Sequence, residues 1–382
     1  MKIVLFDNLQ RDWLHPFTKT RPVSALFSGM YTNLRRWELH TGLPAFALTA
    51  AYLQPAWPLP SPGDEVLLVD ASILPDPTLV KALLQLEKDE ALLQDGRLMA
   101  GRSSSFTPQF PVTKESFLTY TDYKEAVKQI SYPWHIFQYN AALIASDFEI
   151  SKPANYFPPT PSNRITGGQD VFQGKNVRME HCMLNTTAGP VIIGHNTTIL
   201  EGTVIYGPCA IGSHSVIKAG TKIYSASIGD SCTAGGEIKN SVIMDYSNKA
   251  HDGYLGDSVI GEWCNLGAGT SNSNVKNDAA DIRINIGGEM INAGLKCGLL
   301  MGDYTRCAIN TSFNTATMAG VASNIFGAGL TPKSLQDFTW GYTERYIFEK
   351  AIEHISNWKR LKHQVLTENE IQVLSCLYGP NT

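Results

Sequence analysis

The chain has 382 residues, of which 43% are hydrophobic and only 17% charged, with a formal net charge of −4. That length allows two domains and that hydrophobic content supports a large core, while a near-neutral, slightly acidic balance excludes the basic footprint of a nucleic-acid binder and the polybasic patch of an anionic-membrane binder. No apolar run nears the roughly 20 residues of a membrane span, and the start, MKIVLFDN, turns polar too soon for a signal peptide, so a cytoplasmic protein is expected.

Residues 1–151 predict an α/β domain, because short apolar strands alternate with helical stretches. Strands are expected at 2–6 and 65–70 (EVLLVD), helices at 23–40 and 77–93, and a proline-rich turn at 55–62. The first strand leads into FDNLQRDWLHPFTKTRPVSAL. Arg11, Lys19 and Arg21 are candidates to neutralise nucleotide phosphates there, and Asp70, at a strand end, to hold Mg²⁺. The alternative is a surface turn with solvated cations and an acid capping the next helix. Residues 152–161, with four prolines, read as a linker.

From residue 162 to 330 the pattern changes. Ile193, Ile199, Ile205, Ile211, Ile217 and Ile223 recur every six residues. Ile165, Val171, Val177 and Met183 keep that step upstream; Ile228, Ala234, Leu255, Ile260 and Leu266 continue it with slips, and Leu295, Met301, Cys307, Phe313, Ala319 and Ile325 resume it. A period of six is neither helical nor a simple alternation. It fits a parallel β-helix of three flat sides, each turning one aliphatic side chain into a shared core. Each buried isoleucine stabilises such a coil by roughly 1.5–3 kcal/mol, and stacking neighbours supply what one coil cannot. Glycine follows the aliphatic residue at Gly194, Gly212, Gly229, Gly256, Gly261 and Gly267, where positive φ and tight packing are expected at corners. Small residues, such as Thr197 and Cys209, stand two positions before it. Residues 185–190 and 271–281 interrupt the period and are expected to project as loops. Residues 334–361 are expected to be helical, with Trp340, Tyr346, Phe348, Ile352, Ile355 and Trp358 as apolar anchors, within a C-terminal segment 331–382 that covers the β-helix. The seven cysteines form no CxxC pair and read as reduced, buried, small residues.

Three stretches hold the chemistry: GGEIKNSV (235–242), SNKAHDGYLGDSVIGEWCNLGAGT (247–270) and the loop reaching Asn274. They put a histidine, lysines, a tyrosine and amides on consecutive coils. Cations suit a sugar phosphate, and a histidine suits removal of a proton from an attacking amine. Trp263 and Cys264 read as packing. At these residues, in GPVIIGHNTTILEGTVIYGPCAIG and in the N-terminal LHPFTKTRPVSAL, the chain resembles the family of bifunctional N-acetylglucosamine-1-phosphate uridylyltransferase/glucosamine-1-phosphate N-acetyltransferases, in its alternative, Bacteroidetes-type form. The resemblance implies a left-handed β-helix, a homotrimer with sites between subunits, and acetyl-CoA as cosubstrate. It places the general base on His251, the sugar-phosphate contacts on Lys218, Lys239, Tyr254, Asn265 and Asn274, and an acetyl-CoA contact on Ala268. Lys218 stands where the better-known form has arginine, which keeps the charge and loses the bidentate fork. In the N-terminal half Leu14, Pro16 and Thr18 keep an L-x-P-x-T element, but the family's glycine-rich phosphate loop is missing. The expected reaction joins UTP or dTTP to a sugar 1-phosphate, with N-acetyltransfer on the β-helix. A thymidylyltransferase-type enzyme with a β-helix scaffold, and a non-catalytic trimeric assembly protein, stay open as alternatives.

Overall fold

A computed structural model describes residues 1–151, 157–168 and 171–379. Residues 152–156 of the expected linker lie outside the described residues. The chain divides into two compact units. The first comprises Met1–Leu14, Thr18–Phe27 and Tyr31–Tyr132; the second comprises His15–Phe17, Ser28–Met30 and the chain from Pro133 onward. The stretch 133–151, with its helix Asn140–Ser151, therefore goes with the second unit.

The first unit is an α/β sheet. Lys2–Phe6 lies between Ala45–Leu48 and Val66–Asp70, parallel to both, and Arg97–Ser103 adds antiparallel to Val66–Asp70. Ile3, Val4, Leu5 and Val66, Leu67, Val69 are fully buried, as strands covered on both faces require. Two helix expectations need correction. In place of one helix over 23–40, a 3₁₀ turn Val23–Ala25 and two short strands precede a helix at Asn33–Thr41, which starts where the Thr32 side chain accepts from the Arg35 amide. The second helix, capped by Asp76, spans Pro77–Leu84, and Glu90–Gln94 is a strand.

The second unit carries the left-handed β-helix of the hexapeptide type. Among the described residues its strands form one nine-stranded sheet, one ten-stranded sheet and one six-stranded sheet. The predicted ladder fills the core: Ile193, Ile199, Ile205, Ile211, Ile217, Ile223 and Ile228 are all buried. Upstream the predicted step runs out of register: Gln173, Met179 and Leu184 pair with Ile193, Ile199 and Ile205, while Val177 is only partly buried and Met183, like Leu295 downstream, is exposed. The glycines act otherwise than expected. Gly194, Gly212, Gly229, Gly261 and Gly267 are not in the left-handed region; a methyl group on Gly212 would lie 2.4 Å from the Gly229 carbonyl carbon and 2.4 Å from Asp230 Oδ1. They are there for close coil contact. The left-handed corner falls two residues later, on Asn196, His214, Ser231, Tyr246, Trp263, Tyr304, Ala322 and Phe338. The small residues bind coil to coil: Thr197 Oγ1 donates to the Gly212 carbonyl (2.8 Å), Ser215 to Gly229 (2.9 Å), Ser247 to Gly261 (2.6 Å), and the Cys264 thiol to Gly302 (3.2 Å).

Residues 271–281 do not simply loop out. Ser271–Asn272 still pairs with Ser312–Phe313, and the excursion that follows includes an antiparallel hairpin, Ile282–Ile286 with Glu289–Gly294, turning at Gly287-Gly288. At the C-terminal end, Ser334–Leu335 and Thr339–Trp340 are still β-helix strands; the helices are Phe348–Leu361 and Glu368–Tyr378. These helices bury the aromatic part of the left-handed corner. Tyr246 stacks on Trp263 at 4.3 Å, and Trp263, Tyr304 and Phe338 share one cluster with Ala351, Ile355 and Leu374. Six of the seven cysteines are buried as expected; Cys376 is exposed.

Candidate functional site

The predicted site residues fall on four successive coils. Lys218 follows the strand Val216–Ile217; Lys239 ends Glu237–Lys239; His251 lies in the turn between Asn248–Lys249 and Tyr254–Gly256; Asn265 begins Asn265–Leu266, and Ala268 is in the turn after it. Lys218, Lys239 and His251 are exposed. Lys218, His251 and Ala268 thus line one corner of the β-helix.

On the adjoining flat side Lys239 pairs in register with Gly256. Gly256 has no side chain, and the Tyr254 ring lies over it: a methyl group there would be 2.2 Å from the Tyr254 hydroxyl oxygen. Asn274 Nδ2 donates to that hydroxyl at 3.1 Å and to Asp257 Oδ2 at 2.5 Å, while Asn240 Nδ2 donates to Asp257 Oδ1 at 2.7 Å. Asp257 therefore holds both amides, and through Asn274 it fixes the tyrosine on the flat side that carries Lys239. Partial burial, and the carboxylates Asp257 and Glu237 after it, push the Tyr254 phenol above its ordinary range, so it stays a neutral donor.

Asn265 does not join this group. It faces outward from a different flat side, where Asn265, Arg306 and Asn324 pair in register on consecutive coils. With Tyr346, His354 and Trp358 they line a cavity of about 250 Å³.

In the first unit, Arg11 and Asp70 are both buried. Arg11 Nε donates to Asp7 at 3.1 Å; its Nη2 donates to the Thr18 carbonyl, and Thr18 Oγ1 returns a bond to the Arg11 carbonyl at 2.7 Å. This reciprocal pair closes the L-x-P-x-T turn, so Arg11 holds the turn in shape. Arg21 is buried and Lys19 partly so. Asp70 ends its strand and accepts from Asn8 Nδ2 (2.8 Å), the Ser72 amide (2.9 Å) and Ser72 Oγ (2.7 Å). Burial raises its pKa against those bonds. A buried carboxylate ringed by donors is not a preformed magnesium cage.

Residues 3–154 match the family model of sugar nucleotidyl transferases, and residues 190–225 match that of the bacterial transferase hexapeptide, six repeats. Residues 3–154 thus resemble sugar nucleotidyl transferases, and residues 190–225 carry the hexapeptide repeat. Bifunctional protein GlmU of Methanocaldococcus jannaschii is 32% identical over 115 residues, covering 30% of this chain and 28% of that protein. The bifunctional sugar-1-phosphate nucleotidylyltransferase/acetyltransferase of Sulfurisphaera tokodaii is 37% identical over 91 residues, 24% and 23% of the two chains. Bifunctional protein GlmU of Rippkaea orientalis is 42% identical over 84 residues, 22% and 18%. The chain thus covers between 18% and 28% of the length of these relatives.

Two residues escaped sequence reasoning. Asp7, fully buried, takes bonds from Arg11, Thr49 Oγ1 (2.6 Å) and the Val23 amide (2.8 Å), and so organises the loop after the first strand of the first unit. Its signal was an acid straight after an apolar strand, as at Asp70. The other is Lys249, in the hexapeptide repeats. It occupies an inward core position, in register with Ala234, and is only 2% exposed. Its Nζ donates to the Gly235 carbonyl at 3.0 Å and to the His251 carbonyl at 2.5 Å. Burial lowers its pKa to about 8, partly offset by Asp252. The signal was a lysine where the six-step ladder calls for an aliphatic residue. Among the described residues no helix is long and apolar enough to cross a membrane.

Proposed function

We propose that the protein makes a nucleotide sugar in two half-reactions: N-acetyltransfer from acetyl-CoA to glucosamine 1-phosphate on the β-helix, and transfer of a nucleotidyl group from UTP or dTTP to the resulting sugar 1-phosphate by the N-terminal domain. The observation that carries this reading is the Tyr254–Asn274–Asp257–Asn240 network beside Lys239, with His251 three residues before Tyr254 on the same coil. The family match of residues 3–154 and the names of the curated relatives support it.

In this reading Lys218 and Lys239 hold the sugar phosphate and Tyr254 and Asn274 the sugar hydroxyls. His251 accepts the amine proton as nitrogen attacks the thioester, a contribution of typically 10²–10⁴-fold. The Lys249 ammonium, bonded to the His251 carbonyl, steadies the histidine's backbone. A backbone amide near Ala268 meets acetyl-CoA, and a second copy of the chain in a homotrimer completes the site. In the N-terminal domain Lys19 and Arg21 face the triphosphate, within a loop shaped by Asp7, Arg11 and Thr18; magnesium arrives with the nucleotide as part of the substrate. The protein works in the cytoplasm.

The test is product analysis by mass spectrometry with Mg²⁺, acetyl-CoA, UTP, dTTP, glucosamine 1-phosphate, N-acetylglucosamine 1-phosphate and glucose 1-phosphate. UDP-N-acetylglucosamine with free CoA supports both halves. A nucleotide sugar without CoA release reduces the β-helix to a scaffold, and no product overturns the reading. In the His251→Ala variant, thiol release should fall at least tenfold with pyrophosphate release unchanged.

A further inference from the structure

Arg306 stands out because, among the described residues, no acceptor meets its Nε and Nη2 and only the Trp358 ring faces its charge. It lies between Asn265 and Asn324 in register, beneath the helix Phe348–Leu361, with the Trp358 ring 5.4 Å from its guanidinium carbon. Nε and Nη2 are shut off from solvent and make no hydrogen bond among the described residues. The cavity that Arg306 lines with Asn265, Asn324, Tyr346, His354 and Trp358 contains no acidic side chain. Burial depresses the guanidinium's pKa to about 10, with only Cys264 and Tyr346 acting against it. A guanidinium whose Nε and Nη2 are buried without an acceptor is costly, and the Trp358 ring offsets that cost only in part.

Nε and Nη2 form the side edge of the fork, the pair that gives two parallel hydrogen bonds to an oxyanion. The register puts Asn265 and Asn324 on the coils either side of Arg306, so amide donors are available to more oxygens than a carboxylate has. A volume of about 250 Å³ is below that of typical whole-ligand pockets, roughly 300–1,000 Å³, and suits a phosphate group with little attached to it. We propose that this cavity is a binding site for a small phosphate anion, held by the Arg306 fork with Asn265 and Asn324 and entered by rotation of a side chain on the covering helix. The site is distinct from the Tyr254–Asn274 network and does not depend on the acetyltransfer reading. Its occupant is either free inorganic phosphate or the pyrophosphate that nucleotidyl transfer releases.

Isothermal titration of the full-length protein with inorganic phosphate, pyrophosphate and acetate tests this. Among the sites that phosphate or pyrophosphate occupies, one per chain should be removed or weakened at least tenfold by Arg306→Gln. The better binder of the two identifies the occupant. Asn324→Ala, which leaves the guanidinium in place, should weaken the same site several-fold, so the proposal is still tested if Arg306→Gln folds poorly. His251→Ala should leave it unchanged. The proposal is overturned if stoichiometry and affinity are the same in wild type and both cavity variants, if acetate binds there as well as phosphate, or if wild type binds neither phosphate ion.

Discussion

Lys249 offers the sharpest quantitative test, since its energetics separate from everything else by pH. Its pKa falls from an ordinary 10.5 to about 8 because the ammonium sits in the β-helix core. At about 1.4 kcal/mol per unit, that depression means that ionised Lys249 costs the folded state roughly 3 kcal/mol. The sign follows from proton counting. Between pH 8 and 10.5 the unfolded chain binds the lysine proton and the folded chain has released it, so the lysine's contribution to stability rises with pH across that window. Below about pH 8 the cost is present in full; above 10.5 it is gone. Lys249→Met has no such group. Urea denaturation of both proteins at pH 7, 8, 9 and 10 gives the difference in unfolding free energy at each pH. Hydrogen bonds lost with Gly235 and His251 displace all four values equally, and other alkaline effects are common to both proteins. The wild type should gain about 2–3 kcal/mol relative to the variant between pH 7 and 10. A difference that stays flat with pH would refute the argument that this core holds a lysine with a depressed pKa.

Other outcomes are equally open to measurement. Gly212→Ala places a methyl group 2.4 Å from the next coil's backbone, and the forced separation should cost about 1–3 kcal/mol in urea denaturation. Cys264→Ser keeps a donor to the Gly302 carbonyl, in a ladder whose other members include Ser215 and Ser247; its midpoint should move by less than the equivalent of about 1 kcal/mol. Asp7→Asn strips the buried Arg11 of its inner carboxylate and should destabilise the first unit by about 3 kcal/mol, visible as a lower melting temperature in calorimetry.

Much of the β-helix could be read from the sequence because its rule is steric: one inward side chain per flat side, at a spacing the backbone enforces. The exceptions share a cause. Met183 and Leu295 keep the spacing where a coil carries extra residues, and the chain there sets its position by pairing rather than by counting. Lys249 hid because a periodicity search asks for apolar residues. The family resemblance groups Asn265 with Tyr254, yet within one chain the flat side it occupies turns it toward Arg306 and the C-terminal helix. The left-handed corner could not be assigned from glycines, because Asn, His, Ser and then Tyr, Trp and Phe take that conformation. Those aromatics mark where the helices dock. In the first unit the strand ends were legible, whereas the partners that give Asp7 and Arg11 their roles, Thr49, Thr18 and Val23, are brought to them only by the tertiary fold.

The β-hairpin interrupts the chain without interrupting the ladder. Ser213 donates to Asp230, 17 positions on, and the same rung is made by Glu262 and Asp303 across 41. Closing the longer span adds only about 0.6 kcal/mol per doubling of length, which is small beside the packing of one coil. The seam between Asn272 and Leu300 is therefore a natural grafting port: a foreign peptide inserted at the Gly287-Gly288 tip would be displayed on a stem whose footing is indifferent to its length.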